Sequence, residues 1–338
     1  MTSTASAHRS VGYDILKALQ DRGETSPFLQ ARLDYAEASQ LLNQHILPMA
    51  GKRRVYPQMV IPQASGRVGI SDPPIGNFTA DLAYGPHGLR DVVRPDRGCK
   101  WVCADWSAVE GWIVSHRCND PVDLEAKRRG LDLHTVTAIR MFKYPDPAGE
   151  PTKEWLKSSD GLEWRERVGF TEPIRGGVKN TRYTMQYAKQ PATVARYAVK
   201  LGLPPRTLIE FGHRYLRSKP WLVAWKQARW AAVWRAREAR TAFGRRRRLL
   251  GDRYQVEKEG LNHEVQGTVA DLLKMTLVLI TQRWPEARMA YQQHDGWKMV
   301  FPMTWDDLDE YRAIVERQVT IDGRPISFPC EIEVIDGT

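Results

Sequence analysis

Apolar positions recur at helical spacing over residues 27–48 (PFLQARLDYAEASQLLNQHILP), and Pro48 closes that run. Residues 50–100 carry much Gly and Pro and read as loops with short strands. Lys100 to Ala104 (KWVCA) is a short apolar run that predicts a buried strand. Ser107 then opens a helical stretch to about His116, with Glu110 three residues on in a capping-box pattern. Residues 119–170 combine polar loops with a helix around His134 to Phe142. Three prolines and many charges between Tyr144 and Gly169 mark that segment as a surface insertion. Helical spacing returns over Pro173–Lys189, 204–240, Asn262–Trp284 and Asp306–Val319. Arg288 to Pro302 alternates like a hairpin about Asp295-Gly296, and FPCEIEVI closes the chain as a strand. Strands towards both ends and helices between them predict an α+β fold whose sheet is split by an inserted helical subdomain.

Composition narrows the class. The 338 residues are 42% hydrophobic and 27% charged, enough for a sizeable core and unlike a disordered chain. Purely apolar runs such as Trp221–Trp225 and Leu277–Ile280 are too short to span a bilayer. The first residues lack the apolar h-region of a secretory signal, and no membrane partner is expected. Four cysteines make no disulfide scaffold, and Cys99 and Cys103 have no second pair to complete a zinc site. The net charge of +10 favours polyanionic partners. Twelve tryptophans, several among arginines, suit stacking on nucleic acid or serve equally as core filler.

Three features carry chemistry. Asp105 stands where strand KWVCA meets a helix, as a helix-cap residue or as a metal ligand. Asp295 lies at a predicted hairpin turn, where a carboxylate can face a second strand. Two convergent carboxylates can hold two divalent cations roughly 3.5–4 Å apart, and Mg²⁺ suits one or two carboxylates plus substrate phosphates. The third feature is TEPIRGGVKNTRYTMQYAK, where Arg175, Lys179, Tyr183 and Tyr187 recur every four residues. That spacing lines guanidinium, ammonium and two rings along one helix face, either as a solvated stripe or as a surface for a triphosphate and a base. Gly176 and Gly177 cost this helix about 1 kcal/mol each relative to Ala, which calls for close ligand approach or motion.

These stretches resemble the motifs of the family A (DNA polymerase I) DNA polymerases. ADWSAVE resembles the first catalytic motif, the Arg175–Tyr187 stripe the second, and QQHDG the third. SGRVGISDP, DLHTVTA, TAFGRRR and NHEVQGTVAD are similar to four further segments in the family's order, over roughly residues 28–338.

The resemblance implies a right-hand polymerase fold with an antiparallel-sheet palm and inserted helical fingers. Residues 1–50 would be an N-terminal thumb remnant, 51–117 the first part of the palm, 118–250 the fingers with a nucleotide-binding helix at 172–189, and 251–338 the second part of the palm. It implies template-directed addition of deoxynucleotides to a primer 3′-hydroxyl. Asp105 and Asp295 would bind two Mg²⁺ ions, with Mn²⁺ as a substitute. Arg175, Lys179 and His134 would hold the triphosphate, Lys179 giving a proton to pyrophosphate. Tyr183 would pack on the incoming sugar and base, and Tyr187 would guard the template-base position. Glu110 would block a ribose 2′-hydroxyl. Arg67, Asn262 and Gln266 would read the minor groove near the primer end, and His294 would support the catalytic hairpin. Apart from the resemblance, the basic run Arg245–Arg248, with Arg246 in it, is either part of a DNA-phosphate footprint or a solvated loop. Implied partners are primed template DNA and dNTPs, with a separate exonuclease, thumb-like or processivity subunit as a further option.

Departures from the family pattern shape the expectation. Gly296 stands where members usually carry Glu, so activity is expected to be reduced or altered in metal preference. Trp106 replaces a common Tyr, and Tyr183 a common Phe, which in the family goes with acceptance of dideoxynucleotides. Little sequence precedes residue 28, which implies a reduced thumb and no proofreading domain. It also points to a phage, plasmid or element-encoded enzyme in the cytoplasm of a bacterium or phage-infected host cell. Gly296 keeps open a non-catalytic nucleic-acid-binding subunit. A phage-type RNA polymerase is a third option, opposed by Glu110, Tyr183 and the length of the chain.

Overall fold

The structure, a computed structural model, describes residues 16, 19–20, 26–60, 66–73, 75, 93–293 and 295–337. Helix α1 (Pro27–Gln40) continues as a π-helical turn at Leu41–Ile46. A two-stranded sheet of β1 (Gln58–Val60) and β2 (Gly69–Ser71) follows. Strand β3 (Cys99–Trp106) leads into α2 (Val109–Arg117). Helices α3 (Pro121–Arg128), α4 (Leu133–Phe142), α5 (Ser159–Val168) and α6 (Glu172–Tyr187) come next. After a 3₁₀ segment at Pro191–Tyr197 come α7 (Ala198–Leu201), α8 (Pro205–Ser218) and α9 (Pro220–Ala236). A short hairpin, β4 (Glu238–Arg240) and β5 (Arg246–Arg248), precedes the long α10 (Arg253–Arg283). The chain ends with β6 (Arg288–Gln293), β7 (Gly296–Pro302), α11 (Leu308–Val315), β8 (Val319–Ile321), β9 (Arg324–Ile326) and β10 (Cys330–Asp336).

The central sheet is antiparallel in the order β10-β3-β7-β6, so strands from both ends of the chain enclose a helical middle, as the patterning predicts. Strand alternation divides its two faces. Val102, Ala104 and Trp106 of β3 enter the main core, while Trp101, Cys103 and Asp105 face the other side. Seven of the twelve tryptophans are buried, which settles most of them as packing residues rather than stacking platforms. Trp106 meets Trp297 edge-on at 4.8 Å, and Trp297 donates its indole N–H to the Tyr311 hydroxyl (2.8 Å).

Several local expectations change. The stretch 204–240 breaks at Lys219 into α8 and α9 and ends in β4, and α10 starts at Arg253 rather than Asn262. Ser107 does not cap α2: the N-cap is Ala108, in the left-handed region at φ 55°, and Ser107 instead donates to Glu331 on β10 (3.0 Å). The Tyr144–Gly169 segment is not a bare surface insertion. It holds α5, capped by Ser158, with Trp164 and Leu156 buried beneath it and Trp164 donating to the Pro145 carbonyl (3.1 Å). Gly176 and Gly177 answer to packing: a Cβ on Gly176 would come within 2.6 Å of Leu201, and one on Gly177 within 2.8 Å of Phe211.

The helices are joined to one another by a buried charge network. Asp123 on α3 accepts from Arg182 of α6 (2.6 Å) and from Lys219 (2.5 Å), which also donates to Asp120 (2.8 Å). Arg182 further donates to Ser115 on α2 (3.2 Å) and Thr137 on α4 (3.1 Å). Burial alone would raise the Asp123 carboxyl, but Arg182 and Lys219 outweigh it and hold it far below the usual carboxylate range. A carboxyl depressed in the fold stabilises the protein above its unfolded pKa, near 3.9, and loses that contribution as pH falls. Asp123→Asn is expected to lower stability by about 3–5 kcal/mol in urea denaturation at neutral pH. The gap from the parent should narrow in acid; an unchanged midpoint would contradict the role of this network.

Candidate active site

The β3–β7 register brings two distant carboxylates to one place. Asp105 pairs across the sheet with Gly296, and Asp295 is the next residue. Cross-strand partners share a face, so position 296 lies beside the Asp105 side chain. Gln293 pairs with Gly296, so Gly296 already belongs to β7 and is not the second residue of the turn. Gly296 therefore serves contact rather than turn geometry: a Cβ there would meet the Ala104 carbonyl oxygen at 2.8 Å and Asp105 at 3.2 Å. On the other side Asp105 pairs with Glu331, whose carboxylate accepts from Lys153 (2.5 Å).

Arg67 joins this edge to the helices. Its guanidinium donates to Asp295 (2.6 Å) and to Glu110, and Tyr187 of α6 donates its hydroxyl to the same Glu110. Burial works against the Arg67 charge, and Asp295 and Glu110 outweigh it. Near Gly66, Arg245 donates to Asp271 (2.6 Å) and to the Gly267 carbonyl (3.1 Å) on α10. Gly66, at φ +84°, lies so close that a Cβ would come within 2.5 Å of that guanidinium.

The four-residue stripe on α6 is present. Arg175 pairs with Asp132 (3.0 Å), the N-cap of α4, and Lys179 is exposed. Tyr183 lies 6.1 Å from the His134 ring. Burial raises the Tyr183 phenol, and the Glu110, Asp295 and Asp105 carboxylates add to the rise against Arg182. The Tyr187 phenol is raised well above its ordinary value by burial and then by Glu110. Burial also pushes His134 down to about 3, with Arg182, Arg175 and Lys179 adding to the fall and Asp132 opposing it. Its Nδ1 is buried with no partner among the described residues.

Other predicted positions are placed as follows. Asn262 and Gln266 are half-buried one turn apart on α10. Arg246 is exposed on β5, where its partner is Glu238 (3.4 Å), so it belongs to the short hairpin and not to the carboxylate edge. His294 lies outside the described residues. The contacts that join α6 to the carboxylates run through its aromatic end, Tyr187 and Tyr183, rather than through its cationic end.

Sequence patterning missed two supports of α6. Arg182 faces away from the stripe into the buried network. Lys226 of α9 donates to the Met185 and Ala188 carbonyls, both at 2.6 Å, capping the C-terminal end of α6, and burial pushes its ammonium down to about 7. A lysine amid apolar positions was its only visible signal.

The structure superposes on the POL domain of Pol1 from M. smegmatis, solved in complex with DNA primer-template and dNTP, with a TM-score of 0.75 at 20% identity, covering 96% of this chain and 55% of that one. The fold is thus that of a DNA polymerase I polymerase domain. The family model for DNA polymerase family A matches residues 1–154 and 164–338, and the chain belongs to that family. Relatives include the thermostable DNA polymerase I of Thermus thermophilus, 26% identical over 348 residues, and DNA polymerase I of Pseudomonas aeruginosa, 26% identical over 314. These matches cover 96% and 87% of this chain but 37% and 31% of the relatives, so the chain spans about a third of their length. No described helix is long and apolar enough to cross a membrane.

A histidine buried neutral stabilises the fold above its unfolded pKa near 6.5 and loses that contribution as pH falls towards 3. The His134 imidazole is therefore expected to show no NMR titration between pH 5 and 8. A midpoint near 6.5 would contradict its described burial.

Proposed function

We propose that the chain adds deoxynucleotides to a primer 3′-hydroxyl under the direction of a template. The observation that carries this is the edge where Asp105 and Asp295 meet, joined through Arg67, Glu110 and Tyr187 to the helix that bears Arg175 and Lys179. The proposed division is palm at 51–117 and 251–338, fingers at 118–250, and an N-terminal segment at 1–50.

The donor set fits Mg²⁺. Among the described residues no group of three or more His, Cys, Asp or Glu side chains gathers as a protein-only site. Two carboxylates completed by substrate phosphates are what this cation accepts. Asp105 and Asp295 would hold it, and when bound it would neutralise charge that develops on the phosphoryl oxygens.

The chain's own groups supply positioning and charge. Lys179 and Arg175 meet the triphosphate, and Lys179 can pass a proton to departing pyrophosphate. Neutral His134 offers a ring nitrogen to a phosphate oxygen, and its unpartnered Nδ1 suits a site completed by substrate. Tyr183 packs against the sugar and base. Glu110, fixed from two sides by Arg67 and Tyr187, cannot swing away to admit a 2′-hydroxyl. Arg67 balances two carboxylates here, so on primed DNA it has to share its donors between them and the minor groove. Asn262 and Gln266 meet the minor groove with it from one side of α10.

Primer extension on a primed strand with dNTPs and Mg²⁺ tests the proposal. Asp105→Asn and Asp295→Asn should each cut extension by at least about 100-fold, the scale of losing a main electrostatic group. Extension left intact in both variants would sink the assignment. A protein that binds primed DNA yet extends with neither Mg²⁺ nor Mn²⁺ would favour a non-catalytic subunit, the alternative that Gly296 motivates. Glu110→Ala should admit ribonucleotides; unchanged sugar selectivity would remove Glu110 from that role.

A further inference from the structure

A cleft of about 500 Å³ lies between the C-terminal turn of α4 and the C-terminal half of α8, with Arg140, Lys143, Arg214 and Arg217 around it. It is separate from the carboxylate edge: His134 and Phe142 stand eight residues apart on α4, about 12 Å along the axis. Four cations face one carboxylate, Glu210, which already accepts from Arg214 (3.0 Å) and Arg217 (3.1 Å). Arg140 and Lys143 are exposed and have no carboxylate partner among the described residues. Helix dipoles favour a cation at each of the two helix ends, which accounts for Arg140 and Arg217 and leaves two more. Lys143 holds the left-handed C-cap of α4 at φ 55°, a position Gly fills more cheaply. The base of the cleft is firm: Phe142 packs edge-on against Phe211 (4.8 Å), and the Arg214 guanidinium lies 5.7 Å over the Phe142 ring.

We propose that this cleft is a second, sequence-blind phosphate site that takes unpaired DNA strand. Three of its four cations are arginines, whose planar fork matches phosphate. Its apolar lining is Met141 and Phe142, both packed into the core, so it lacks the apolar pocket that would anchor a peptide. The choice of strand rests on the proposed function, because a template-directed enzyme handles unpaired DNA; the cation geometry does not depend on it.

The test measures binding of a fluorescent oligo-dT by anisotropy across a salt series. The parent is compared with a triple variant, Arg140→Ser, Lys143→Ser and Arg217→Ser, all exposed positions, with circular dichroism checking the fold. The log–log salt slope should become shallower by about 2 if three phosphate contacts are lost at roughly 0.7 each. Extension at saturating primed DNA should be unchanged. Equal slopes and affinities in the two proteins would overturn the site. Binding of an acidic peptide that depends on the three residues, without the change for oligo-dT, would overturn it in favour of a protein partner. The same dependence for dATP alone, and none for oligo-dT, would overturn it in favour of a free nucleotide. A slope difference that persists where no version extends a primer would support the cleft while sinking the proposed function.

Discussion

The register of β3 against β7 is the constraint on which the rest depends. Asp105 and Asp295 are 190 positions apart in the chain, and only the pairing of Asp105 with Gly296 makes them neighbours. A slip of one residue would turn Asp105 towards the core and Trp106 towards the open face. The register is held by burial on the opposite side, where Trp106, Trp297, Met299 and Phe301 interlock. Polar chemistry on one face is thus fixed by apolar packing on the other.

The second constraint is the seating of α6. Its stripe faces the proposed nucleotide site while its back carries Arg182 into a network of Asp123, Lys219, Ser115 and Thr137. Lys226 closes its C-terminal end. Buried charges of this kind cost desolvation and reward only good geometry. Here they specify how the helix is rotated, and hence where Tyr183 and Tyr187 point. The glycines at 176 and 177 let neighbouring residues pack against the same helix.

Much of this was legible in the sequence. The 3.6-residue period located α6 and most of α10, alternation located the β6–β7 hairpin, and a short apolar run located β3, because these elements bury a face. The Arg175–Tyr187 stripe was visible for the same reason. What failed was local. The Ser107–Glu110 spacing fits a capping box, yet tertiary partners took both side chains: Glu331 holds Ser107, and Arg67 and Tyr187 hold Glu110. The 144–169 segment hid its helix because Trp155 and Trp164 bury against aromatic neighbours distant in the pattern. Asp-Gly signalled a turn, but Gly296 is needed for strand contact. Arg182 and Lys226 look like surface residues until the packing of three helices is known.

The most direct measurement of convergence is a double-mutant cycle on Mn²⁺ affinity. Electron paramagnetic resonance would follow binding with primed DNA, a 3′-deoxy primer end and the matching dNTP present. If Asp105 and Asp295 share the same ions, Asp105→Asn and Asp295→Asn should each weaken binding, and the double variant should be little worse than either alone. Losses that simply add would mean that the two carboxylates act at separate places, and the account of this site would fail.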